Sequence, residues 1–302
     1  YQEIAGRFAD GTAYTLLKPD YGFSALAYGP MAKAVLVSPR IAPQLIGVGL
    51  LEAIPEAEIL ANARAQAAAA GPIKGVPNRV WDAPSGKTRI GRFGWKANVA
   101  SIAHQTAGAF NGDIGITSSL FPDEACTAAQ KDCLAAPRGG QPEIDDKTLG
   151  DVVFYQATLA PPARRHVNDV TVRKGEKLFH AAQCAACHRP GYETAGSDHS
   201  AALARQRIHP YTDLLLHDLG EGLADGRPDG QANGRQWKTP PLWGVGLIRD
   251  VNQHDRLLHD GRARGVMEAI LWHGGEAEAS RDRVLSMNRD EREALVRFVE
   301  SL

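Results

Sequence analysis

Two cysteines and a histidine in the second half of the chain have a spacing that implies specific chemistry. Cys184-Ala-Ala-Cys187-His188 follows the pattern of a c-type haem attachment site. In such a site the two thiols add to the vinyl groups of haem, and the adjacent imidazole supplies one ligand to the iron. One helical turn between the thiols places both sulfurs along one edge of the porphyrin. The sequence therefore predicts one covalently bound haem c, with His188 as its proximal ligand.

Two other kinds of site use the same cysteine spacing. A thioredoxin-like redox pair follows a strand in a βαβ unit, whereas residues 173–180 have the pattern of a helix that enters the motif. A zinc site needs two further ligands at short spacing, and the chain has no second C-x-x-C pair. A redox dithiol and a metal site remain the alternatives to covalent haem.

The composition argues against two classes of partner. The 302 residues are 43% apolar and 23% charged, and the formal net charge at neutral pH is −1. This balance supplies neither the basic surface that nucleic-acid binding needs nor a polybasic segment for anionic lipids. No apolar run approaches the roughly 18 residues of a spanning helix. We therefore expect no nucleic-acid partner and no membrane span.

The haem motif and the remaining cysteines both favour an oxidising compartment. The sequence begins at Tyr1 without a signal peptide. Because covalent haem attachment takes place outside the cytoplasm, we expect a periplasmic protein whose signal peptide is not part of this sequence. Cys126 and Cys133 lie in a polar stretch flanked by proline and glycine. An oxidising compartment makes two free thiols there the less favoured alternative, and the sequence predicts a structural disulfide.

The ligand on the other side of the iron has several candidates. Helical spacing from Arg264 places Val266, Ile270 and His273 on one side of a helix. Met267 is six residues before His273, which is about 240° around the helix, so the two cannot face the same iron. An iron with no sixth protein ligand is a further alternative. The candidates are Met267, His273, His217, His259 and Met287.

Hydrophobic periodicity predicts a mainly α fold. In the first half, residues 42–70 and 145–159 have helical patterns. The glycine-rich residues 71–117 between them predict loops with possible short strands. The pattern changes near Pro161-Pro162. We therefore predict that residues 1–163 form a haem-free, loop-rich and mostly helical support region, rich in glycine and tryptophan.

The second half has the pattern of a cytochrome c domain, which we assign to residues 164–302. A short helix ends in the haem motif, a second helix covers about 263–272, and a third covers 288–302. In cytochrome c domains the first and last helices cross beside the haem. The apolar side chains suited to that contact are Leu178 and Phe179 on the first helix, and Leu295 and Phe298 on the last.

Ten segments distributed along nearly the whole chain resemble one family. They are Gly47-Val-Gly-Leu-Leu-Glu-Ala-Ile-Pro55, Pro77-Asn-Arg-Val-Trp-Asp82, Gly91-Arg-Phe-Gly-Trp-Lys96, Gln105-Thr-Ala-Gly-Ala-Phe-Asn-Gly-Asp113, Val153-Phe-Tyr-Gln-Ala-Thr-Leu-Ala160, the haem motif, Tyr211-Thr-Asp-Leu-Leu-Leu-His-Asp218, Trp237-Lys-Thr-Pro-Pro-Leu-Trp243, Leu258-His-Asp-Gly-Arg-Ala263 and Ile270-Leu-Trp-His-Gly-Gly275. With these segments the chain resembles the di-haem oxidoreductases, often labelled thiol oxidoreductases. It is more distantly similar to bacterial di-haem cytochrome c peroxidases.

This resemblance implies a peroxidase-like haem oxidoreductase. The family carries a preceding haem domain with its own attachment motif, whereas this chain has one such motif. The resemblance therefore implies that this chain supplies the electron-transfer haem, and that the absent haem domain and a redox protein are its partners. An electron-transfer module with no catalysis of its own is the alternative.

The resemblance also bears on individual residues. In the di-haem peroxidases a similar His-Asp-Gly segment is followed, fourteen residues after its histidine, by a methionine that binds iron. Here the position fourteen residues after His259 is His273, which implies an iron bound by His188 and His273, with Met267 as the second choice. The alternative is a histidine at a helix end that only hydrogen-bonds backbone groups.

Two further expectations rest on the residues themselves. Arg262, in the same segment as His259, is expected to pair with a haem propionate, and a solvated turn before a helix is the alternative. The polar patch of His104, Asn111 and Asp113 could face the absent haem domain or bind a cation, and structural turns are the alternative.

Overall fold

The computed structural model describes all 302 residues. The α-helices are α1 Val48–Glu52, α2 Glu56–Ala68, α3 Ile102–Ile114, α4 Lys131–Ala135, α5 Asp146–Thr158, α6 Val170–Ala181, α7 Ile248–Asn252, α8 Val266–Leu271, α9 Glu278–Leu285 and α10 Arg289–Glu300. The strands are β1 Gln2–Arg7, β2 Ala13–Lys18, β3 Arg79–Asp82, β4 Lys87–Ile90, β5 Tyr192–Glu193, β6 Arg207–Ile208, β7 Leu216–Asp218, β8 Gln236–Lys238, β9 Arg256–Leu257 and β10 Ala263–Arg264. They pair in sequence order into five two-stranded antiparallel sheets.

The prediction of a mainly α protein is wrong. Helices hold 34% of the residues and strands hold 13%. Of the 144 backbone–backbone hydrogen bonds, 69 join turns, loops and helix ends rather than the interiors of regular elements. The physical cause is the 31 glycines and 18 prolines, which interrupt regular elements. The region predicted as a cytochrome c domain shares this character, because it has no α-helix between Ala181 and Ile248.

Individual helices agree better with the sequence patterns. The predicted helix at 145–159 is α5, and the side chain of Asp145 accepts a hydrogen bond from the backbone N–H of Thr148 at its start. The predicted last helix is α10, which begins with a capping box between Asn288 and Glu291. The predicted helix at 42–70 is two helices, α1 and α2, because Pro55 separates them.

Helices α6 and α10 form the most extensive contact between two elements of the fold. The rings of Phe179 and Phe298 pack edge to face with centroids 5.2 Å apart, as the apolar stripes predicted. The approach is close because Gly175 lies at the crossing. A Cβ atom there would overlap the carbonyl oxygen of Ala294 and the side chain of Phe298. This contact fixes the helix that leads into the haem motif.

The largest hydrophobic core draws on both halves of the chain. Its buried members include Val48, Ile59 and Val153 from the first half, together with Leu214 and Trp243 from the second. A boundary at residue 163 stays a prediction, although apolar residues on its two sides pack into one cluster. The first half is therefore part of the framework that supports the haem motif.

Two features lie at the edges of the fold. The hairpin β1–β2 packs Phe8 and Leu16 against Trp237 and Trp272. Cys126 and Cys133 form a disulfide, with Cα atoms 5.9 Å apart, in the segment between α3 and α5. None of the ten helices combines the length and apolar character that a membrane-spanning helix requires.

Candidate functional site

The haem motif opens onto a cavity of about 430 Å³. This volume lies in the range of roughly 300–1,000 Å³ that is common for ligand sites. Most of its lining is apolar and comes from both halves of the chain, with Val48 and Leu51 on α1, Phe179 on α6, and Leu295 and Val299 on α10. The cavity is thus a largely apolar compartment between α1, α6 and α10.

Both cysteines of the motif line this cavity as free thiols. Cys184 begins a short 3-10 turn, Cys184–Ala186, and Cys187 follows its end; the turn comes after α6 and is preceded by Gln183 in a left-handed conformation. Burial raises the pKa of the Cys184 thiol to about 12 and also raises the pKa of Cys187. Neither thiol is therefore an activated thiolate, which argues against the redox-dithiol alternative.

His188 lines the same cavity with a defined tautomer. Its Nδ1 lies 2.9 Å from the carbonyl oxygen of Tyr211. Because a carbonyl oxygen only accepts hydrogen bonds, Nδ1 carries the proton and Nε2 keeps a free lone pair. Burial is the main cause that lowers the pKa of His188 to about 4, and the nearby His273 lowers it further. A neutral imidazole oriented through Nδ1 is the usual state of a metal-binding histidine.

His273 has the same arrangement. It lies just after α8, lines the cavity, and donates from Nδ1 to the carbonyl oxygen of Ala269 at 2.6 Å. Burial lowers its pKa, so the ring is neutral. Its Nε2 therefore also keeps a free lone pair. The structure brings His188 and His273 to one cavity, each with the nitrogen that could bind iron left unprotonated.

The other candidates for the sixth ligand are arranged differently. Met267 and Met287 pack into hydrophobic clusters and do not line the cavity. His259 lines the cavity, but its ring stacks on Trp237 with centroids 3.8 Å apart and an interplanar angle of 14°. No hydrogen bond fixes the tautomer of His259. The geometry therefore favours His273 over Met267.

His217 belongs to a buried ion network that sequence reasoning missed. Its Nε2 lies 2.9 Å from Asp213 and its Nδ1 lies 2.7 Å from Glu276. Carboxylates accept hydrogen bonds, so both ring nitrogens donate and the ring is an imidazolium. Burial alone would lower the pKa of His217, but the hydrogen bonds to Asp213, Cys187 and Glu276 raise it well above the usual value. Both nitrogens are occupied, so His217 has no free lone pair for iron.

The same network contains the one group of side chains close enough to hold a metal ion. Ligand atoms of Cys187, Asp213 and His217 lie within 4.8 Å of one another. Cys187 Sγ is 3.7 Å from Nδ1 of His217. A protonated ring between two carboxylates offers no lone pair to a cation, so we assign the group to structural support of the cysteine pair.

The expected propionate role of Arg262 is not supported. Arg262 does not line the cavity. Its guanidinium is engaged by both carboxylate oxygens of Asp260 and by the carbonyl oxygen of Gly222, and it stacks on Trp272. The guanidinium of Arg262 therefore already has a carboxylate partner within the protein. The sequence did not indicate this pairing, in which the carboxylate of Asp260 contacts the arginine two residues later.

The polar patch of the first half does not converge on one point. His104 accepts a hydrogen bond from the backbone N–H of Ala83 and packs on Phe121. Asn111 donates to the carbonyl oxygen of Asp123. These side chains have separate partners, so the structure gives no support to a cation among them.

Two basic residues of the lining could not be identified from the sequence. Lys238 and Arg92 are buried and line the cavity. Arg92 donates to the carbonyl oxygens of Leu51 and Ile54 and so holds the end of α1. The only sequence signal for Lys238 is its place between a tryptophan and two nearby prolines, and nothing in that pattern indicates burial.

Comparisons with known proteins identify the family. A protein-family model matches residues 24–302, which include the disulfide, the haem motif and every residue of the cavity lining. No curated protein and no solved structure matches the chain. Because the family match covers nearly the whole chain, this protein belongs to the family of di-haem oxidoreductases described as putative peroxidases.

Proposed function

We propose that the chain is a periplasmic c-type haem oxidoreductase and that it supplies an electron-transfer haem. Cys184 and Cys187 would hold the porphyrin by thioether bonds, and His188 and His273 would bind the iron. When bound, the haem supplies one-electron oxidation and reduction. The observation that carries the proposal is the matched pair of neutral histidines facing one cavity beside the two thiols.

The chain's own residues fit such a group. The apolar walls from α1, α6 and α10 would exclude water from the porphyrin faces. The carbonyl oxygens of Tyr211 and Ala269 would hold the two imidazoles in place through Nδ1. Two imidazoles give a lower reduction potential than a histidine–methionine pair, since thioether ligation raises it. With His188 and His273 both binding it, the iron would have no free position for peroxide, which favours relay of electrons over catalysis by this haem.

The first test is whether haem is attached covalently to the chain. The full chain, matured by a cytochrome c assembly system, is run on a denaturing gel and stained for haem. Covalent haem in the wild type and none in the Cys184→Ser/Cys187→Ser variant is the expected result. A blank wild-type lane would reject the proposal.

The role of the haem is tested by spectroscopy. Relay predicts a low-spin visible spectrum that does not change when cyanide or peroxide is added. A high-spin spectrum that responds to peroxide would instead make this haem the site of peroxidase chemistry. An electron-transfer partner would then be a donor to this site.

A further inference from the structure

We propose that Lys238, assisted by Arg256 and His259, is the anchor for the carboxylates of the bound haem. The inference rests on the proposed function, because it assumes that haem occupies the cavity. It concerns the polar edge of the ligand, to which the comparisons assign no residue.

Lys238 is a buried cation without a partner. It is 7% exposed and lines the cavity. Its backbone is fixed at the end of β8, where its N–H donates to the carbonyl oxygen of Trp95 at 2.8 Å. Its Nζ makes neither a hydrogen bond nor a salt bridge in the structure. A buried ammonium in this condition is unfavourable unless an anion compensates it.

The other buried lysine of the cavity region shows the contrast. Lys96 is fully buried, and its Nζ donates to the carboxylate of Asp225 and to the carbonyl oxygens of Arg227 and Asn233 at 2.7–2.8 Å. The fold thus satisfies one buried lysine completely. The absence of partners for Lys238 is a local property of the cavity.

No protein carboxylate is free to pair with Lys238. The acid whose charge acts on it is Asp213. Oδ2 of Asp213 already accepts from His217 and Gln66, and Oδ1 accepts from the backbone N–H of Leu215. This leaves a molecule in the cavity as the source of a direct partner for Lys238.

Two further basic side chains of the lining are under-occupied. Nη1 of Arg256 is buried and has no hydrogen-bond partner. The ring of His259 is buried and forms no hydrogen bond, although Nε2 lies 3.7 Å from the carboxylate of Asp260. Together with Lys238 they present donors and one or more positive charges to a single anionic ligand.

Haem c has the matching chemistry. Its thioether edge would be held by the cysteines, and its iron by the two histidines. Its remaining polar groups are two propionate carboxylates, which form strong charge-assisted hydrogen bonds with ammonium and guanidinium groups. Carboxylates in the cavity would supply the acceptors that Lys238, Arg256 and His259 lack within the protein.

The test uses the haem-loaded full chain and four variants. Lys238→Met removes the charge and keeps the length of the stem, whereas Lys238→Arg keeps the charge. Arg289→Met is the control, because Arg289 is exposed, is bound to Glu293 and does not line the cavity. The measurements are the ratio of ferrous to ferric haem at a fixed applied potential and the propionate bending mode in the resonance Raman spectrum.

Loss of a positive charge beside the haem favours the more highly charged ferric iron. We expect Lys238→Met to lower the ferrous-to-ferric ratio about tenfold, which is ~59 mV for a one-electron couple, and to shift the propionate mode. Lys238→Arg should keep both, and Arg289→Met should change the ratio less than about threefold. Arg256→Met should shift both signals in the same direction as Lys238→Met, so a folding defect in one variant does not remove the test.

Three outcomes would overturn the anchor. Unchanged signals in the haem-loaded Lys238→Met and Arg256→Met variants would show that these residues do not bind the haem carboxylates. A second outcome is an unchanged propionate mode in Lys238→Met together with a haem spectrum that responds to added acetate in the wild type but not in Lys238→Met. This would assign Lys238 to binding a free carboxylate instead. A wild type without haem would reject the proposed function itself, which the staining experiment reports separately.

Discussion

At the residue scale, the proposed chemistry of the iron depends on His273. Its ring lines the cavity and its Nδ1 is engaged by the carbonyl oxygen of Ala269, whereas Met267 packs in a hydrophobic cluster and does not line the cavity. We expect His273→Ala to open the sixth position, convert the iron to high spin and allow cyanide to bind. Met267→Ala should leave the spectrum unchanged and lower the stability by about 2–5 kcal/mol. A silent His273→Ala combined with an open iron in Met267→Ala would assign the ligand to methionine.

His217 supports the attachment motif through charge. It is 1% exposed and lies between the carboxylates of Asp213 and Glu276. Its removal leaves two buried acids without a counter-charge, so His217→Ala should lower the free energy of unfolding by about 3–5 kcal/mol. His180→Ala, at an exposed position of α6, should have little effect in the same denaturant titration. Equal losses in the two variants would contradict this role.

His217 should also make the free energy of unfolding depend on pH. The pKa of His217 is raised well above its ordinary value by its hydrogen bonds, which outweigh burial. A histidine whose pKa is raised on folding contributes its full stabilisation at pH values below its pKa in the unfolded chain, near 6.5. That contribution is lost as the pH rises through its pKa in the folded protein. We expect unfolding free energy to decline above pH 6.5 more steeply in the wild type than in His217→Gln. Parallel profiles would show that another group causes the decline.

At the element scale, the crossing of α6 and α10 depends on Gly175. A Cβ atom there would overlap the backbone of Ala294 and the side chain of Phe298. Gly175→Ala should therefore destabilise the protein by roughly 1–3 kcal/mol. Gly150→Ala is the control, because Gly150 is an exposed glycine inside α5 with open space around it. That change should be neutral or stabilising by about 0.5–1 kcal/mol. Similar effects in the two variants would show that the helices can move apart without cost.

The disulfide belongs to the same scale, because it closes one short segment between α3 and α5. Replacing Cys126 and Cys133 by serine should lower stability by about 2–3 kcal/mol through the entropy of the unfolded chain. Neither cysteine lines the cavity, so the haem spectrum should not change. Mass mapping without reduction measures the pairing directly, and free alkylatable thiols in the wild type would reject it.

The sequence predicted elements that carry their own start and stop signals. Helices α5 and α10 have side-chain caps and apolar stripes that do not depend on distant residues. Helix α3 was missed, because the glycines around it predicted loops. The motif with its two cysteines and His188 was evident from spacing alone. The partners of His217 and the isolation of Lys238 were not, because burial there is produced by segments far apart in the chain.

At the scale of the whole molecule, the N-terminal hairpin β1–β2 covers one side of the fold next to the cavity. Phe8 is buried against Trp237 and Trp272, and the guanidinium of Arg292 lies 3.9 Å from the centre of its ring. Phe8→Ala should lower the free energy of unfolding by about 3 kcal/mol. Ile4→Ala, on the exposed part of the same hairpin, should change it by less than about 0.5 kcal/mol. Denaturant unfolding of the haem-loaded chain measures both, and equal values would mean that the hairpin contributes no packing.

The contact between the two ends of the chain has a consequence for biosynthesis. Asp10 pairs with Arg292, which is 282 residues later, and the N–H of Ala9 donates to the carbonyl oxygen of Leu285. Neither bond can form before the ribosome has made α9 and the start of α10. Contacts of such long range also form slowly. In the proposed exported protein, the segment with both thiols would enter the periplasm while α6 still lacks its partner helix. The thiols would then be accessible to the enzymes that attach haem before the protein closes around them.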